Sequence, residues 1–422
     1  MSGQQPMKQY ALSVAQQDVP SSWMPDARPR LANTSARRIV SVSAQSGTVS
    51  AGQPLLFQLP ANMGAGFLVS GSAYLKFTCS VTQAVAQSWA FKQNGSGNSV
   101  LQRASAILSG ANIESINMYN KLYNSLLTHA TNVGYISSDA RIHDQVFPGA
   151  FNTADVTVCV PIALSCLNAQ SHLPLFLLSS ALLQFDTEAI QQALTSGSAD
   201  AITNYQISQA SVCFEQLVPE PAYEQGIKAM LASRVYQMKL DTWKNSRYAQ
   251  QASITQTIGL NTSSCRGILW ATQATQTQRN AGHLSDGGQT RCQVFADGAL
   301  VHNSQLSSTP EQFLEMNRVL NLMMDTSRTS VTPTASTADA VVADISLLLY
   351  STRAAYSAAS YLGGVSLSRE TLDNGSFSFV GTPVQNLVIQ WAGTATTGEF
   401  FVFCPVQEIL TIDMVGSVNL VR

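Results

Sequence analysis

Charge is what this sequence has least of. Of 422 residues only 11% are Asp, Glu, Lys or Arg, against about 25% in an ordinary soluble domain. Lys and Arg number 23 and Asp and Glu 25, leaving a formal net charge of −2. That balance excludes a basic nucleic-acid clamp, which needs clustered cations. The densest basic stretch is Arg28, Arg30, Arg37 and Arg38, and it suits contact with phosphate, lipid headgroups or a neighbouring chain. Aromatic residues do not alternate with basic ones, so a stacking platform for single strands is unsupported as well.

Chemistry-bearing motifs are also missing. The seven cysteines (Cys79, Cys159, Cys166, Cys213, Cys265, Cys292, Cys404) form no Cys-x-x-Cys pair, which removes zinc ribbons and thioredoxin-like redox sites. Their odd count and apolar neighbours, as in Val158-Cys159-Val160, predict buried free thiols. The five histidines (His129, His143, His172, His283, His302) show no metal-ligand spacing. There is no phosphate-binding Gly-rich loop, and Gly95-Ser96-Gly97 sits in a polar loop rather than a strand–turn–helix nucleophile elbow. His143 adjoins Asp144, but adjacent side chains need not converge. No catalytic residue, metal or cofactor is expected, and the chain is read as no enzyme. The start lacks the basic and apolar blocks of a signal peptide. The longest apolar run, Leu173 to Leu183, is interrupted by Pro174 and is too short to span a bilayer. Synthesis in the cytosol is the expectation, and the Asn-x-Ser/Thr matches at Asn33, Asn94, Asn261 and Asn374 are then accidental.

What replaces charge is Ser, Thr, Gln, Asn and Ala, beside a 45% hydrophobic share. Uncharged polar surface is cheaper to desolvate than ionic surface, which suits a protein that covers its exterior with other copies. Residues 1–36 carry four prolines and no period, and read as an extended arm. Within it, Trp23 is an anchor candidate for a neighbour or a lipid surface. From Arg38 the chain reads as short alternating strands with turn signals between them. Tyr74 to Val81 alternates, Ser105 to Ile113 is a strand with a glycine in it, and Asp155 to Leu164 is a strand that Pro161 ends or places at an edge. Helices are predicted over Met118–His129, Pro219–Ala232 and Thr309–Met324, the last with Thr309 as N-cap. Ile409 to Val421 reads as a terminal extension.

The order of elements occurs twice. Leu108-Ser109-Gly110-Ala111 is followed by a short gap and a helix, and so is Ala296-Asp297-Gly298-Ala299, with 188 residues between the two glycines. The preceding strands Tyr74–Val81 and Gly267–Thr272 match. So do the following pairs: Val156–Leu164 with Ala343–Ser351, Leu182–Phe185 with Val388–Trp391, and Ser211–Phe214 with Phe401–Cys404. Two all-β units of about eight strands each form closed barrels or jelly rolls, which hide most strand edges. The expected division is an arm at 1–36, a first unit at 37–232 and a second at 233–422.

With Ile107 to Tyr119 and Val160 to Leu175, including Leu173-Pro174-Leu175, the chain resembles the double jelly-roll major capsid proteins of tailless icosahedral viruses, the tectivirus, adenovirus, virophage and polinton-like lineage. The resemblance runs by pattern over residues 37–422. It implies an all-β fold of two tandem jelly-roll β-sandwiches with short inserted helices. It also implies a homotrimer of pseudo-hexameric outline in a virion shell. The implied partners are other copies, penton or minor proteins, and an internal membrane beneath the arm. Trp23, Arg28, Arg30, Arg37 and Arg38 are the candidate assembly contacts. A tandem β-sandwich that binds a receptor or carbohydrate, as a viral spike or adhesin, is the alternative.

Overall fold

The computed structural model describes residues 36–84, 89–92, 97–123, 155–196, 202–231, 235–273, 284–302, 305–320, 361–367 and 381–421. The first half supplies eight principal strands: β1 (Ala36–Ser43), β2 (Pro54–Leu59), β3 (Tyr74–Gln83), β4 (Leu101–Leu108), β5 (Ala111–Asn117), β6 (Asp155–Pro161), β7 (Ala181–Thr187) and β8 (Ile202–Val218). Helix α1 (Pro221–Met230) follows. The second half repeats the series as β9 (Tyr236–Ala249), β10 (Ser253–Cys265), β11 (Gly267–Gln273), β12 (Gln289–Ala296), β13 (Ala299–Leu300), β14 (Gly363–Ser366), β15 (Thr382–Gly393) and β16 (Glu399–Ile412). Helix α2 (Thr309–Val319) lies between β13 and β14, and β17 (Val418–Val421) closes the chain.

The pairing order is the same in both halves. One sheet runs β1–β8–β3–β6, and its counterpart runs β9–β16–β11–β14. The other runs β2–β7–β4–β5, and its counterpart β10–β15–β12–β13. Every one of these pairings is antiparallel. This is two jelly rolls in tandem. In the second half the long strand β10 bends at the corner and meets β16 at Cys265 and Val406, linking the two sheets.

Alternation places the core. Leu75, Phe77, Cys79 and Val81 point inward from β3, and Leu183 and Phe185 do so from β7, all at least nine-tenths buried. Phe57 meets Phe185 edge-on at 5.9 Å between ring centroids. In the second sandwich Trp391 of β15 crosses to Phe400 of β16 at 5.7 Å. There the indoles of Trp270 and Trp391 both donate to Gln289 Oε1, at 2.8 and 2.9 Å. Burying two indole N–H groups requires such an acceptor.

Several sequence expectations change. Ser105 to Ile113 is not one strand with a bulge, and Cys292 to Val301 is not one strand either. Ser109 (φ 49°) and Gly110 (φ 80°) reverse the chain, as do Asp297 (φ 47°) and Gly298 (φ 84°). Two consecutive left-handed residues make the tight hairpin turn whose twist matches the flanking strands. Ser308, not Thr309, is the N-cap of α2. Gln289 starts a strand rather than ending a loop. Ile409–Ile412 belongs to β16, and a turn then folds β17 back on it. Gly97–Val100 is a buried helical turn, not open loop. Pro161 ends β6, which lies at a sheet edge, as expected. The first inserted helix begins at Tyr119, and its span beyond Tyr123 lies outside the described residues. So do Ala343–Ser351, Thr326–Ala338, His143 and Asp144. The strand that pairs with β11 is Gly363–Ser366. Among the described residues no helix is long and apolar enough to cross a membrane.

Candidate assembly surface

Two features bear on how this chain meets other molecules: the seam between its sandwiches and the equivalent face left open. The seam starts from strand pattern. In β16, residues Phe400 to Val406 form an apolar run without alternation, and every one is buried. Val402 and Cys404 enter the core of the second sandwich, whereas Phe401 and Phe403 join the cluster of the first. A strand covered on both faces needs such a run.

The covering element is the chain that leaves β5. Lys121 sits over the Phe401 ring at 5.1 Å and donates to Gln273 Oε1 at 3.0 Å. Burial lowers its pKa to about 8, against which Glu188 and Glu399 act in the opposite sense. Glu114 of β5 is also buried. It accepts the backbone N–H of Ser165 at 2.7 Å and the Thr242 hydroxyl of β9. Burial raises its pKa, while those hydrogen bonds oppose the rise. Asn245 donates to the Asn117 carbonyl at 2.7 Å, and Tyr236 to the His172 carbonyl at 3.1 Å. Gly416 has φ 85°, and a Cβ there would lie 2.5 Å from the Leu177 carbonyl. The two sandwiches are therefore held by a dry, hydrogen-bonded seam. At one end of it a cavity of about 370 Å³ opens between Lys239 and Asp241 of β9 and Pro161, Ser165 and Asn168. It places no nucleophile beside a base.

The open face is the outer side of the β1–β8–β3–β6 sheet. Across it run Ile39, Ser41, Ser211, Cys213, Tyr74, Lys76, Thr78, Thr157 and Cys159, with few charges among them. Thr78 and Thr157 hydroxyls meet at 3.0 Å, and Cys213 Sγ lies 3.5 Å from Ser41 Oγ. Of the candidate contacts, Arg37 pairs with Glu215 on this face, its Nε donating at 3.0 Å. Arg38 Nε donates to Gln216 Oε1 at 2.8 Å, tying the strand to a buried amide. Both therefore brace β1 within the chain. Trp23, Arg28 and Arg30 lie outside the described residues. Sequence reasoning missed Tyr74, Lys76, Glu114 and Lys121. The readable signal was the contrast between the unbroken run in β16 and the alternation of β8.

Six cysteines are buried, Cys159 is partly exposed, and all are free thiols. Burial pushes Cys79 and Cys265 up to about 12, so none is poised as a nucleophile. No cluster of metal-ligating side chains occurs among the described residues.

The architecture is the double jelly roll, the fold of a class of viral major capsid proteins. No family model matches the sequence and no curated protein matches it. Solved structures do. The PBCV-1 VP54 structure fitted into the virophage Sputnik shares 12% identity at a TM-score of 0.60, covering 95% of this chain and 100% of that one. The quasi-atomic PBCV-1 virus capsid gives the same identity, TM-score and coverage. The Faustovirus major capsid protein shares 7% at a TM-score of 0.55, covering 94% and 93%. Each is a double jelly-roll major capsid protein.

Proposed function

We propose that this chain is a major capsid protein. In this reading it forms homotrimers of pseudo-hexameric outline, and these tile an icosahedral virion shell. The observation that carries the reading is the repeated strand order, one jelly roll beside another in a single chain. Two similar bodies per chain let three chains approximate six-fold packing. The solved neighbours that share this fold are capsid proteins, and the low charge suits broad contact with sister molecules.

The proposal places the division between sandwiches at 232/233. It gives the arm, residues 1–36, an inward role, with Trp23, Arg28 and Arg30 meeting neighbours, minor proteins, penton or an internal membrane. Synthesis in the host cytosol precedes assembly. The role is structural and needs no cofactor. Light scattering on the purified full chain tests it. The expected mass is three times that of one chain, with hexagonal outlines by negative stain. A monomer at every concentration that binds an immobilised glycan contradicts it and favours the adhesin reading.

A further inference from the structure

The internal repeat sets two equivalent faces side by side for comparison. In the second sandwich, Phe401 pairs with Ala271 and Phe403 with Leu269. In the first, Ser211 pairs with Lys76 and Cys213 with Tyr74, on the matching strands β8 and β3. The second set is fully buried, beneath the turn that follows β5 of the same chain. The first set has no such cover within the chain, and Tyr74 is 37% exposed.

We infer that this open face, centred on Tyr74 and Lys76, receives the second sandwich of a neighbouring copy. It does so through a repeat of the contact that already joins the two sandwiches within one chain. The inference rests on the capsid-subunit reading and names the surface through which it works. The occupant follows from the repeat. The counterpart of β5 and its following turn is β13 with the segment leading into α2, where Leu300 and Leu314 are exposed. A head-to-tail contact of this kind either closes into a ring or continues as a filament. Alternating the internal contact with its intermolecular copy closes at six sandwiches when the step is one sixth of a turn, hence at three chains. The composition of the face agrees. Ser, Thr, Cys and Tyr lose water at lower cost than ion pairs, and Tyr is enriched where interfaces concentrate their energy.

The test uses the full chain with Tyr74→Glu, with Lys76→Glu as the milder exposed change, and with Leu314→Glu on the partner element. Mass is read by light scattering, folding by thermal melting, and burial of the face by alkylation of Cys159, which lies on the Lys76 rung. Each variant is expected to melt cooperatively as a single chain. Each should associate at least roughly tenfold more weakly than the parent. Cys159 should be alkylated more slowly in the parent oligomer than in the dissociated variants. A parent oligomer whose Tyr74→Glu and Lys76→Glu forms keep their mass overturns this face and leaves the capsid reading standing. Loss of mass in those two but not in Leu314→Glu overturns the choice of the α2 flank as occupant. A parent that never associates overturns both.

Discussion

Lys121 illustrates how this chain uses its few charges. Its ammonium is held without water over Phe401 and against Gln273. With a folded pKa of about 8 against 10.5, the unfolded chain binds more protons between those values, so its contribution to stability rises with pH across that window. Below pH 8 both states carry the charge, and the desolvation cost is constant. Cys79 and Cys265 act in the opposite direction above pH 9, since the folded thiols stay protonated. The parent alone therefore does not isolate the lysine. Lys121→Met does. The melting temperature of the parent minus that of Lys121→Met is expected to increase from pH 7 to pH 10, equivalent to roughly 1–3 kcal/mol at about 1.4 kcal/mol per pK unit. A flat or falling difference would show that the amine is hydrated.

At the scale of elements, the hairpin turns carry the repeat most clearly. Gly110 and Gly298 both hold φ above +80° or at it, and a Cβ at either meets nothing within 4 Å. Gly110→Ala and Gly298→Ala should therefore cost only backbone strain, about 1–2 kcal/mol each by urea unfolding. Markedly unequal costs would mean the two turns are not equivalent. The sequence made these positions visible because glycine sits at the same step in both halves. It hid their geometry because Ser109 and Asp297 give no unique left-handed signal. Strand order in the first half was readable from alternation in β3 and β8. The end of β16 was not, because Pro405 and Glu408 read as breaks although both pair with β9. The seam stayed hidden for a different reason: Glu114 and Lys121 look like surface residues until the second sandwich covers them.

For the whole molecule, the repeat explains why one chain presents unlike faces at equivalent places. The buried face in the second sandwich is apolar because it is covered during folding of a single chain. The open face in the first is polar and weakly charged, so the dissociated subunit stays soluble yet gives up water readily. The most direct measurement is a cryo-electron microscopy reconstruction of the purified oligomer. The account predicts three chains around one axis, six jelly rolls in a ring, and Tyr74 of each chain against the second sandwich of the next. A ring with Tyr74 facing solvent, or an assembly that pairs two chains about a two-fold axis, would contradict it.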